Sequence, residues 1–125
     1  MLEKIETAAA PAAVGPYSQA IVYNGVIYAS GQLGLVPETG KLAEGGVEAQ
    51  AEQACKNVTA VLAAKGIGLE KVIKTTCFLA DIKDFAEFNG VYEKYFIGKP
   101  ARSCFAVAAL PMGALCEIEV IAAVD

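Results

Sequence analysis

Two stretches of this chain, 47–65 and 84–96, space their apolar residues three or four positions apart, and each is bracketed by β-rich runs. That alternation of helical and strand periods limits the possible folds more than any other feature. In the first stretch Val47, Ala51, Ala54, Val58, Val61 and Leu62 share one face, Glu48, Glu52 and Lys56 the other, and Gly66 is placed to end the helix. In the second, Phe85, Phe88, Tyr92 and Tyr95 form the stripe, and Asp84 with Glu87 reads as a capping box. Gly90 inside it costs about 1 kcal/mol relative to Ala, which points to a packing reason.

The β runs complete the pattern. "AIVYNGVIYAS" (20–30) is two strands about Asn24-Gly25, residues that accept the positive φ of a type I′ turn. "GQLGLVPETGKLAEGG" (31–46) reads as loop. Further strands are predicted at 71–80, 101–109 and 115–124, with a weak first strand near Leu2 to Ile5. The order β-β-β-α-β-α-β-β predicts one α+β domain over 1–125, a length that suits a single core. Strand–helix–strand connections keep one hand, so both helices fall on the same side of the sheet. The other face still carries Val, Ile, Ala and Cys and needs cover, which predicts an oligomer. No charged residue occurs from Thr7 to Pro37, which points the same way.

Charge and missing residue types exclude several classes. The net charge is −4 with no Lys/Arg cluster, which argues against a nucleic-acid binder held by a basic surface. Histidine is absent, which removes His-dependent triads, His general bases and most catalytic zinc sites. Cys55, Cys77, Cys104 and Cys116 lack zinc or C-x-x-C spacing and read as reduced thiols of a cytoplasmic protein, with Cys77 and Cys116 in the core. The N-terminal alanine run is broken by Pro11 and follows Glu3, Lys4 and Glu6, so no secretory signal is expected. No apolar run of 18 residues is present, so no membrane span is expected.

Two-residue alternation sorts the candidates for chemistry. Arg102, the only arginine, shares a strand face with Cys104, Ala106 and Ala108. Glu117 and Glu119 stand together, opposite the apolar face of Cys116, Ile118, Val120, Ala122 and Val124. Read alone, the arginine is a surface or ion-pair residue, the glutamates mark a wet face and Cys104 is a small core residue. "SGQLG" (30–34) lacks the Lys-Ser/Thr of a phosphate-binding loop.

Four longer stretches change that reading. "GPYSQA" (15–20), "ASGQLGL" (29–35), "VIKTTCFLADIKDFAEFN" (72–89) and "PARSCFAVAALPMGALCEIEVIA" (100–122) occur in an order that resembles the RidA (YjgF-type) family of imine and enamine deaminases over nearly the whole chain. The resemblance implies a chorismate-mutase-like α+β fold, a mixed β-sheet with two helices packed on one face. It implies a homotrimer with the other sheet faces packed together and clefts between subunits. It implies a hydrolase that converts reactive 2-imino acids and their 2-aminoacrylate-type enamine tautomers to 2-oxo acids and ammonia, without cofactor or metal. By motif, Arg102 binds the substrate carboxylate and Glu117 orients the attacking water, while Tyr17, Ser30, Gly31, Asn89 and Cys104 line the pocket. "FIGKPARS" (96–103) is a shorter connection than in some members, so the resemblance carries the core motif but leaves the pocket rim and substrate range open. The alternatives are a non-catalytic binder of small carboxylates, an RNA-acting or translation-inhibiting protein, and a chorismate mutase suggested by fold analogy alone.

Overall fold

The computed structural model describes residues 1–125. Strands β1 (Glu3–Ile5), β2 (Ala20–Tyr23) and β3 (Val26–Ala29) form an antiparallel meander. The β2–β3 turn is Asn24-Gly25 with φ of 52° and 76°, as the dipeptide requires. β4 (Gln32–Leu33) follows, then a small hairpin of β5 (Leu35–Val36) and β6 (Lys41–Leu42). The segment expected to be loop therefore contains three short strands. Two-residue strands interrupted by glycine and proline carry no readable period.

Helix α1 (Gly46–Ala63) ends as predicted by Gly66, where the Ile67 N–H donates to Leu62 O at 3.2 Å. β7 (Val72–Leu79) then leads into α2 (Phe85–Tyr95), which crosses to β8 (Ala101–Ala106), and β9 (Cys116–Ala123) closes the chain. The capping box at Asp84 does not form. Asp84 makes no side-chain cap; instead Asp81 accepts the Lys83 N–H at 2.9 Å and starts a 3-10 turn that feeds the helix. The buried face of α2 is Phe88, Val91 and Tyr92, rotated from the predicted stripe, with Phe85 partly exposed. No neighbour lies within 4 Å of a Cβ at Gly90, so the packing reason expected for it is absent.

The main sheet runs β1-β2-β3-β9-β7-β8, with β4 also pairing β9. β7 and β8 are the only parallel neighbours, and α2 is the crossover that joins them. Both helices lie on one face, over a core that includes Phe88, Leu62, Ile27 and Ile118. Cys55, Cys77 and Cys116 are buried there as small apolar groups, and all four cysteines are free. Tyr28, Ile73 and Phe105 are large and exposed, and Phe105 packs edge-on against Phe78 at 5.6 Å.

One buried side chain ties α1 to the sheet. Asn57 donates to Leu33 O at 3.0 Å and to Leu35 O at 2.8 Å, and accepts from Gln53 Nε2 at 2.9 Å. Asn57→Ala leaves two carbonyls without donors and lowers stability by about 2–3 kcal/mol. Urea unfolding measures this; an unchanged midpoint would contradict the tie.

Candidate active site

The site begins at a fault in the sheet. Tyr28 stands opposite Ile121 and Gln32 opposite Ile118, so one extra residue sits between β3 and β4. Such a bulge breaks the ladder and re-aims backbone groups, here at Ser30 and Gly31. The freed groups pair with the stretch before β2. The Ser30 N–H donates to Gln19 O at 2.9 Å, and its hydroxyl to Ser18 O at 2.6 Å. Gln19, buried, fixes the loop beyond. Its amide donates to Thr7 O at 3.1 Å and Pro11 O at 2.8 Å, and its carbonyl accepts the Thr7 N–H at 2.7 Å. Sequence reasoning named Tyr17 in this stretch but not Gln19, whose partners are backbone atoms with no side-chain signature.

Glu117 on β9 faces that bulge. A Cβ at Gly31 would lie 2.5 Å from Glu117 Oε2, so the carboxylate rests where any other residue's side chain would begin. A cleft of about 550 Å³ opens over the pair, lined by Tyr17, Ser30, Gly31 and Glu117 with Val14, Leu33 and Met112 among the apolar walls. Burial, and then the like charge of Glu119 two residues on, push the Glu117 carboxyl above its usual range. A second cleft of about 550 Å³ lies across Tyr17, lined by Lys4 and Glu6; neither Glu117 nor Arg102 reaches it.

Arg102 sits elsewhere. It is paired with Thr75 in the β7–β8 register, as Cys104 is with Cys77, and Thr75 and Cys77 point into the core. Arg102 therefore lies on the helix-covered face. Its Nη1 donates to Asn89 Oδ1 at 2.7 Å, and its Cζ lies 4.7 Å from the Tyr92 ring centroid and 5.7 Å from that of Phe85. Cys104 is half-buried on the same face. Burial raises its thiol, opposed by the charge of Arg102. A raised thiol is a poor nucleophile at neutral pH.

The seven predicted site residues thus fall into two groups. Tyr17, Ser30, Gly31 and Glu117 form one, on the open face. Arg102, Asn89 and Cys104 form the other, two strands away on the opposite face. One chain does not bring them together. No cluster of three or more Cys, Asp or Glu side chains could hold a metal ion.

The chain is similar to known proteins over nearly its whole length. Residues 7–124 match the family model described as endoribonuclease L-PSP. The chain is 51% identical over 119 residues to the 2-iminobutanoate/2-iminopropanoate deaminase of Mus musculus, covering 94% of this chain and 88% of that one. It is 52% identical over 121 residues to the chloroplastic Reactive Intermediate Deaminase A of Arabidopsis thaliana, covering 96% of this chain and 65% of that one, less than two thirds of its length. Among solved structures, the Rid-family protein YyfA of Yersinia pestis superposes with a TM-score of 0.95 at 50% identity, covering 98% and 99% of the two chains. TdcF of E. coli with bound serine superposes with a TM-score of 0.92 at 39% identity, covering 97% and 98%.

Proposed function

The chain belongs to the endoribonuclease L-PSP family that includes the Rid proteins, and from that premise we propose that it is a 2-iminobutanoate/2-iminopropanoate deaminase. The observation that carries this reading is Glu117, a half-buried carboxylate seated on the Gly31 backbone at a cleft shared with Tyr17 and Ser30. Relatives that carry this activity in their names are about half identical to the chain over most of its length.

The chemistry follows from the residues. A guanidinium grips a carboxylate through two parallel N–H···O bonds, fixing its position and plane, so Arg102 holds the acid end of the substrate. Glu117 accepts a proton from water as the oxygen bonds to C2, and the imine nitrogen gains that proton. Glu117 then takes the carbinolamine's hydroxyl proton and returns it to the amine nitrogen, which leaves as ammonia as the C–N bond breaks and the C–O bond becomes a carbonyl. Imine and water become 2-oxo acid and ammonia, with no change in electron count. Because imines react readily, most of the required acceleration is positional.

The two residue groups need a second copy to meet. We take the assembly to be a homotrimer in which the exposed Tyr28 and Phe105 face is covered and Arg102 of one subunit completes the Glu117 cleft of the next. No helix is long and apolar enough to cross a membrane. Four free thiols suit a reducing compartment such as the cytoplasm. The family description names an endoribonuclease, but a net charge of −4 and the lack of any Lys/Arg cluster argue against binding to an RNA backbone.

A pH profile tests Glu117 directly. The ionised form is the one that takes the water proton, so kcat/KM falls as pH drops through its raised pKa. The acid limb lies above the ordinary carboxylate range. Glu119→Gln removes the neighbouring like charge and moves that limb to lower pH. A limb that stays in place in Glu119→Gln assigns it to another group.

A further inference from the structure

Helix α2 meets Arg102 with Phe85, Asn89 and Tyr92, spaced i, i+4 and i+7 along one stripe. Asn89 accepts one Nη1 hydrogen at 2.7 Å, which fixes one corner of the guanidinium but leaves it free to turn about that bond. The Tyr92 ring lies beneath at 4.7 Å. A cation over an aromatic face is attracted by the ring quadrupole, and a flat guanidinium is also held in orientation by it. Tyr92 is in turn pinned. Its hydroxyl hydrogen-bonds Thr75 Oγ1 at 2.7 Å, and its ring stacks on Phe96 at 4.4 Å with an interplanar angle of 18°. Thr75 is fully buried and stands directly opposite Arg102 in the β7–β8 register. The strand carrying the guanidinium and the helix carrying its platform are therefore fastened at one position.

We propose that Tyr92 is a positioning residue, an aromatic platform that sets the plane in which Arg102 grips the substrate carboxylate; the proposal rests on the deaminase reading above. With one Nη1 hydrogen given to Asn89, the remaining donors are presented for two parallel bonds to a carboxylate. Carboxylate affinity then depends on the quadrupole of the ring at 92. The rate of the chemical step, set at Glu117, does not.

The test is steady-state turnover of an imino acid generated in place by an amino-acid oxidase. It compares wild type, Tyr92→Leu, Tyr92→Phe and protein with singly, doubly and triply fluorinated phenylalanine at 92, with Arg102→Ala as reference. Tyr92→Leu raises KM about tenfold with kcat held within threefold. Tyr92→Phe brings KM back to within twofold of wild type, at a lower Tm because Thr75 loses its partner. Successive fluorines, which weaken the negative ring face while keeping its shape, raise KM stepwise. Calorimetric binding of 2-oxobutanoate follows the same order and reads the platform independently of turnover. A flat series of KM and binding constants overturns the proposal, including where Tyr92→Leu does not fold. A flat series beside an inactive Arg102→Ala sinks the platform alone; full turnover in Arg102→Ala sinks the carboxylate clamp and the platform with it.

Discussion

Arg102→Ala and Glu117→Gln each lower ammonia release from an oxidase-generated imino acid by about a hundredfold or more, and refolding the two inactive proteins together restores activity. The first variant loses the charged pair of bonds to the substrate carboxylate. The second keeps the size of the side chain and loses its basicity. Recovery on mixing follows from the position of the two residues on opposite faces of the sheet, two strands apart. In a closed threefold ring each site takes its arginine from one subunit and its glutamate from the next. An equimolar random mixture therefore regains about a quarter of the wild-type sites. Variants that were merely unfolded would not complement, and far-UV circular dichroism of each alone checks that they are not. No recovery in a mixture shown by mass to contain hybrid trimers would place both groups in one chain's cleft, against the geometry.

How far this arrangement could be read in advance depended on the kind of signal each part carries. The helices were legible because their burial repeats at 3.6 residues over 18 and 11 residues. Cys116 to Ala123 was legible because its burial alternates strictly, which also placed Glu117 and Glu119 on the face away from Ile118. β4 and the bulge before it were not, since two residues have no period and a bulge is defined by the register of its partner. Asp84 looked like a cap because its type and spacing were right, but the chain turns three residues earlier, at Asp81. The site motifs named residues without their faces. Only the β7–β8 register shows that Arg102 belongs with Thr75 and the helices, while Glu117 belongs with the bulge. Tyr92 was placed in the apolar stripe and is indeed buried. Its contact with Arg102 became visible only with the crossing of α2 over β8.

Gly31→Ala lowers kcat about a hundredfold and leaves stability nearly unchanged, which separates the carboxylate's position from the integrity of the fold. The new Cβ would stand 2.5 Å from Glu117 Oε2, 2.7 Å from Cδ and 3.0 Å from Cγ, and each of these atoms belongs to the flexible end of one side chain. None of these three nearest atoms is backbone, and Gly31 does not have a positive φ, so the backbone conformation itself suits alanine and the side chain of Glu117 must give way. Relief comes from a swing of the carboxylate by an ångström or so. That displacement costs little in packing, yet one of about 1 Å in a catalytic group is enough for the loss stated. Gly90→Ala is the matched control. Gly90 lies inside α2 with nothing within 4 Å, so the same added methyl raises helix stability by about 0.5–1 kcal/mol and leaves kcat alone. Thermal unfolding and the coupled assay on the two variants give the comparison. Wild-type kcat in Gly31→Ala would mean that Glu117 does not act from the place where it rests against the bulge.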